Sequence, residues 1–203
     1  MWLSKDFASA NFALQFLTQP YCFYWVVVFI VVESLKAHVT ERVNLENALR
    51  QIRSVADYQF GKNVGEQLFP ENVKIEYSKR TGRIRYVYWR GKRLATLRPT
   101  DGLFSLSISG AKRIVEGADH VKYDVTVRDD VSTFIAEGGD VFAKHVVKAD
   151  DEVRARDEVI VVSEKGGVLA VGRAALSGEE MKAFKTGVAV KVRHGCLRER
   201  EDI

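Results

Sequence analysis

At 203 residues, 46% apolar and 29% charged with three prolines, the chain has room for one domain or two small ones. That composition excludes general disorder and low complexity. Its two cysteines, Cys22 and Cys196, stand at opposite ends, which excludes a disulfide framework or a clustered zinc site and fits free thiols in a reducing cytosol.

The net charge of +4 is unevenly spread: residues 1–50 balance at zero, residues 51–118 carry +7 and residues 119–203 carry −3. A positive field confined to the middle of the chain points to a polyanionic partner.

Residues 1–44 contain YCFYWVVVFIVV, an apolar run of twelve residues from Tyr21 to Val32. It is shorter than the roughly 20 residues with which a helix crosses a bilayer. The basic start and small-residue cleavage site of a signal peptide are missing. Its β-branched residues suit a buried strand. We read residues 1–44 as an extension, either a loosely attached appendage or sequence upstream of the true start; a membrane anchor is the less favoured alternative.

From there the pattern is regular. Leu45, Ala48, Leu49, Ile52 and Val55 recur at helical spacing and predict an amphipathic helix from Asn44, a plausible N-cap, to about Ala56. YQFGKNVGEQLFP adds a turn and a short helix ending before Pro70. Three strand-like runs follow, VKIEYS, RIRYVYW and LATLR, with turns at Thr81-Gly82 and RGKR, as in an antiparallel meander. Alternation assigns Ile84, Tyr86 and Tyr88 to the core face of the second strand, and Arg83 and Arg85 to the other. SLSISGAKRIVEG predicts a helix with Ile108, Ala111, Ile114 and Val115 on one side.

From Tyr123 the texture changes to short strands: YDVTV, DVFAKHVV, DEVIVV, VLAVGRA and GVAVKVRHG. One helix interrupts them, SGEEMKAFKTG, with Ser177 and Glu180 at capping-box spacing and Gly187 beyond its end. This pattern predicts a small, partly open β-barrel. The fold class is therefore α+β, a helix and antiparallel-sheet module over 45–118 followed by a barrel over 119–196. A charged tail closes the chain at 197–203, and the boundary falls near Glu116 to His120.

The stretch KRTGRIRYVYWRGKR, Lys79 to Arg93, holds seven Lys or Arg and no acid. Lys79, Arg80, Arg83, Arg85, Arg90, Lys92 and Arg93, with Arg98 just beyond, would be displayed on a stiff sheet. Outward side chains on a strand repeat about every 6.6 Å, near the separation of successive phosphates. Guanidinium groups can grip phosphates in a bidentate manner. A solvated basic face without a ligand is the plain alternative.

The motifs ADYQFGKNVGEQLFP, SKRTGRIRYVYWRGKRLATLRPTDGLFSLSISGA and VFAKHVVKADDEVRARDEVIVV, with LAVGRAALSGEEMKAFKTGVAVKVRHG, resemble the C-terminal half of archaeal, archaeosine-forming tRNA-guanine transglycosylases. That half ends in a PUA domain, and the same pair of modules occurs in short stand-alone archaeal proteins. The resemblance covers Ile52 to Gly195. It implies a PUA-type pseudo-barrel that binds structured RNA, tRNA first, in a groove including Gly139, Asp140, Val141, Phe142, Ala143, Lys144, Arg173, Lys191, Arg193 and His194. Of these, Val141 and Phe142 are expected in the core. Where the family reads Pro-Gly-Asp-Glu-Val, this chain has Ala155-Arg156-Asp157-Glu158-Val159, so the turn has lost its glycine and gained a charge.

The full-length family enzyme carries its catalytic aspartates and zinc on a separate barrel domain, for which this chain has too few residues. No phosphate loop, nucleophile elbow or Cys-His pair appears. Asp129-Asp130 and Asp150-Asp151 read as loop ends, and Asp101 as a turn residue. The expectation is a cytoplasmic, non-catalytic RNA-binding protein with no cofactor and no metal. It would act alone or beside a separately encoded transglycosylase catalytic subunit in tRNA modification. An rRNA-binding ribosome-assembly factor and a membrane-associated interaction protein are the alternatives.

Overall fold

A computed structural model describes residues 44–117 and 122–198. The expectations for residues 1–43, for the junction 118–121 and for 199–203 lie outside these. The chain divides into two compact units, Met1–Asn47 and Ala48–Ile203. Only the opening of one helix belongs to the described part of the first. Among the described residues no helix is long and apolar enough to cross a membrane.

Helix α1 spans residues 44–60 and buries Ala48, Ile52, Ala56 and Phe60, one residue per turn along a single stripe. It runs a full turn past Ala56. Gln59 explains the extension: its Nε2 donates to the Phe104 carbonyl at 2.9 Å and its Oε1 accepts from the Phe104 N–H at 2.7 Å. Gly61, at φ +112°, then ends the helix. Leu45, expected on the apolar face, is 41% exposed. Helix α2 (Val64–Leu68) is pinned where Asp57 Oδ1 accepts from Gly65 N at 2.7 Å.

Four antiparallel strands follow in the order β1 (Lys74–Tyr77), β2 (Ile84–Trp89), β3 (Lys92–Leu97) and β4 (Phe104–Leu106). The fourth occupies the start of the stretch expected to be helical, and α3 (Ile108–Gly117) begins after it. At Gly110 an added Cβ would sit 2.2 Å from the Leu94 carbonyl oxygen, so glycine permits α3 to lie directly against β3.

Simple alternation fails on β2. Tyr77 pairs with Ile84 but Glu76 pairs with Tyr86, which leaves Arg85 as the extra residue of a β-bulge. Beyond it the faces exchange. Val87 is fully buried and Trp89 packs on the core, whereas Tyr86 and Tyr88 stand half-buried on the outer face. The expected placement of both tyrosines in the core is thus corrected.

The second module is a six-stranded, nearly closed barrel, ordered β6 (Val141–Phe142), β10 (Val188–Gly195), β9 (Val168–Ala174), β8 (Glu158–Ser163), β5 (Asp124–Val127) and β7 (Val146–Ala149). Only β5 and β8 pair in parallel. Helices α4 (Ser132–Ala136) and α5 (Gly178–Ala183) complete it, the latter with both hydrogen bonds of the capping box at Ser177 and Glu180. Val141 is buried as expected; Phe142 is 40% exposed.

Strand β8 belongs to both cores. Val159 and Val161 point into the barrel, while Ile160 and Val162, with Val171 of β9, complete the core under the first module's sheet. A strand covered on both faces needs an unbroken apolar run, which DEVIVV supplies.

The glycine-less turn adopts a left-handed residue at a cost. Arg156 takes φ +79°, and its N–H donates to the Ala174 carbonyl at 2.8 Å. A left-handed conformation disfavours a residue with a Cβ by roughly 1–2 kcal/mol. Arg156→Gly is therefore expected to raise thermal stability by about 1 kcal/mol, roughly 2–4 °C for a domain pair of this size. A melting curve checks this, and a lowered midpoint refutes it.

Candidate nucleic-acid interface

On the outer face of the first sheet the bulge brings aromatics and cations together. Tyr86 and Tyr88 lie 6.2 Å apart between ring centroids. Arg85 stands 5.2 Å from the Tyr86 centroid and donates from Nε to Tyr86 Oη at 3.0 Å; Arg93 stands 6.0 Å from the same ring. Rings attract guanidinium groups electrostatically and so hold them in a defined posture. Glu76 faces Tyr86 across the ladder, an acid supplied by the neighbouring strand, and pairs with Lys74 at 2.9 Å. That hydrogen bond and its charge raise the Lys74 pKa.

The β2–β3 hairpin turns through Arg90 at φ 49° and Gly91 at φ 78°, the two left-handed residues of a type I′ turn. Arg90 lies 4.3 Å from the Trp89 centroid and Arg113 of α3 lies 4.1 Å from it. Trp89 Nε1 donates to Asn72 Oδ1 at 3.0 Å, and Arg113 donates from Nη2 to the Gln67 carbonyl at 2.8 Å. Nothing in the linear pattern ties Arg113 to Trp89. Lys79, Arg80 and Arg83 are exposed at one end of β2, and Arg90 and Lys92 at the other. The structure thus keeps seven of the eight predicted cations of this stretch at one sheet.

Arg98 is the exception. Its side chain is 13% exposed, donates from Nε to Asp101 Oδ1 at 3.0 Å and lies 3.9 Å from Glu158 Oε2. Burial pushes the Asp101 carboxyl up, but the Leu103 N–H and Arg98 outweigh it and leave the pKa below the usual carboxylate value. Arg193, expected in the barrel groove, is likewise engaged. It holds the fully buried Glu158 with both Nη atoms, Nη1 to Oε2 at 3.0 Å, and donates from Nη2 to the Leu106 carbonyl at 3.1 Å. Glu158 Oε1 also accepts from Leu106 N at 2.9 Å. This ion pair joins β8, β10 and β4, and so fastens the barrel to the first sheet.

The other groove residues separate by role. Asp140 Oδ1 accepts from Val192 N at 2.9 Å and anchors the loop before β6 to the bulge in β10. At Gly139 a Cβ would lie 2.2 Å from the exposed Phe134 ring, which would have to swing aside for any larger residue. Arg173 and Lys191 face each other across β9 and β10, both exposed, and Lys144 is exposed beside β6. His194 pairs in register with Val171 on the outer side of β10. Among the described residues no three His, Cys, Asp or Glu side chains assemble into a site that could hold a metal ion.

Fold and surface together define a two-domain arrangement, a cationic helix-and-sheet module fused to a PUA barrel. Comparison with known families agrees: residues 50–120 match the patch-forming domain C2 of tRNA-guanine transglycosylase, and residues 123–196 match the PUA domain. The chain carries these two domains in that order. It is 43% identical over 150 residues to the tRNA-guanine(15) transglycosylase of Methanobrevibacter smithii, covering 74% of this chain and 23% of that one. With the same enzyme of Pyrococcus abyssi it shares 44% over 155 residues, 76% of this chain and 26% of that one. It thus spans about a quarter of these relatives' length.

Among solved structures, a hypothetical protein of Pyrococcus horikoshii is similar at 26% identity with a TM-score of 0.61, covering 75% of this chain and 92% of that one. A conserved PUA domain protein of Thermoplasma acidophilum shares the fold at 24% identity and a TM-score of 0.55, over 76% of this chain and 92% of that one.

Removing one partner of a buried ion pair leaves an uncompensated charge and costs about 3–5 kcal/mol. Glu158→Ala is expected to lose stability of that order in urea unfolding, whereas Arg173→Ala on the exposed face changes it by less than about 0.5 kcal/mol. Equal effects would show that Glu158 does not fasten the two modules.

Proposed function

We propose that this chain is a non-catalytic RNA-binding protein that takes structured RNA, tRNA first, and presents it to a separately encoded transglycosylase catalytic chain. The observation that carries the reading is the pairing of a PUA barrel with an arginine-rich sheet whose cations rest on aromatic rings, in the domain order of the transglycosylase C-terminal part. The sheet contacts phosphates through Arg83, Arg85, Arg90 and Arg93, with Lys79, Arg80 and Lys92 at its ends. These contacts set affinity and carry no sequence information. The barrel, through Gly139, Lys144, Arg173, Lys191 and His194, recognises the shape of the RNA and its unstacked bases rather than a groove pattern. Arg193, Arg98 and Asp140 serve this surface indirectly, by holding the strands and loops that display it.

A salt titration of tRNA binding tests the first half. The logarithm of affinity should fall with the logarithm of salt by about 0.7–0.9 per phosphate neutralised, and Arg83→Ala/Arg85→Ala/Arg93→Ala should flatten the slope by about 2–3 while the fold stays intact. Lys144→Ala/Lys191→Ala should instead reduce the preference for tRNA over a simple duplex. A flat response in the wild type removes RNA binding. Co-purification of a transglycosylase catalytic chain from the native host tests the second half, and a chain found with ribosomal precursors instead would replace it.

A further inference from the structure

Where the barrel meets the first module there is a cleft of about 250 Å³, walled by Tyr58, Tyr123, Arg98, Arg156, Asp157 and Glu158. Neither the sheet face nor the barrel groove accounts for it. Tyr58 stands on the last turn of α1 and is 83% exposed, an aromatic that no packing explains. Tyr123 enters β5 at φ +65°, a left-handed conformation that is uncommon for a bulky residue and concentrates at ligand sites. Its hydroxyl stays a proton donor at neutral pH, since burial, followed by the nearby carboxylates of Asp157 and Glu152, raises its pKa.

The cations are as distinctive. Arg156 is exposed, strained at φ +79°, and has no ion pair among the described residues. Arg98 Nη1 is buried beside the cleft without a hydrogen-bond partner among the described residues, and lies 3.9 Å from Glu158 Oε2. A buried donor left unmade is costly, and a ligand acceptor would satisfy it. The two acids are partly occupied. Glu158 is held by Arg193 and Leu106, and Asp157 Oδ2 accepts from Arg154 N at 2.8 Å. That leaves Asp157 able to accept from a ribose hydroxyl or a base amino group.

Two aromatic rings and two guanidinium groups around a space below the roughly 300–1,000 Å³ of ordinary ligand pockets suit one base with its phosphate, not a duplex. We propose that the cleft takes a single unstacked nucleotide of the bound RNA, its base against Tyr58 and Tyr123 and its phosphate against Arg98 and Arg156. This rests on the RNA-binding reading above. It adds a point at which the RNA must be single-stranded.

The test uses the full chain and a tRNA transcript carrying 4-thiouridine in place of uridine. Ultraviolet crosslinking followed by mass spectrometry should place crosslinks on Tyr58 or Tyr123. Base–aromatic stacking implies that Tyr58→Ala weakens affinity by about fivefold or more, and because it alters no charge, that loss cannot reflect a weaker field. Arg156→Gly should also bind several-fold more weakly although it folds more stably. A wild type that does not bind the transcript overturns the RNA reading and the cleft with it. A wild type that binds, with crosslinks confined to other surfaces or with both variants binding unchanged, overturns the cleft alone.

Discussion

One buried carboxylate holds the molecule in its functional form. Glu158 is shut off from solvent, yet both its oxygens are matched, by the Arg193 guanidinium, the Leu106 N–H and, more distantly, Arg98. An ion pair in such a place gives little net stability relative to a hydrophobic packing of the same volume. What it supplies is geometry, because bidentate contact fixes angle as well as distance. Its partners come from β4, β10 and the end of β3, so the barrel and the first sheet meet in one orientation. The apolar side chains of β8 and β9 then seal the same junction, Ile160, Val162 and Val171 serving a core that the barrel does not own.

This changes how the arginines are counted. Seen as composition, they form one positive block with one purpose. In three dimensions they divide by what they touch. Arg193 is held by the Glu158 carboxylate at the junction, Arg98 is held by Asp101 through Nε and Nη2 but not Nη1, and Arg113 is held by a carbonyl and the Trp89 ring. Arg85, Arg90 and Arg93 sit over aromatic rings, which restrain their long stems. A cation held by a ring has already lost part of the freedom that contact with a phosphate would otherwise remove. Preorganisation of this kind raises affinity without adding contacts.

Much of this architecture was legible in the linear chain. The 3.6-residue stripe of α1, the meander, the capping box at Ser177 and the strand DEVIVV each follow from local pattern, and each forms; that DEVIVV is covered on both faces comes from the structure. The misplaced features share one cause. A period of two persists only while the strand is unbroken, and a single extra residue at Arg85 sends Tyr86 and Tyr88 outward and Val87 inward. No propensity marks that position. Gln59 prolonged α1 by bonding to Phe104, far along the chain, and Arg193 was drawn from the groove by a glutamate on another strand. Long-range polar partners of this kind leave no periodic trace. The lost glycine at Arg156 was legible as a departure, though its outcome was not: the turn stayed and the residue took the strain.

Charge and shape also act at different ranges. The +7 of residues 51–118 is followed by −3 over residues 119–203, so a polyanion approaching from a distance is attracted to the first module and mildly repelled by the remainder. Screening shortens that field to about 8–10 Å at physiological salt, and within that range the arrangement of donors decides. On the proposed reading, the cations of the sheet meet phosphates of either strand or duplex, and the junction cleft takes only what has left a stack. In the proposed complex the sheet therefore supplies capture and the cleft supplies selection, and Glu158 couples them by keeping the distance between them constant. A ligand able to satisfy both must carry a continuous backbone and at least one displaced base, which describes folded RNA better than it describes a uniform duplex.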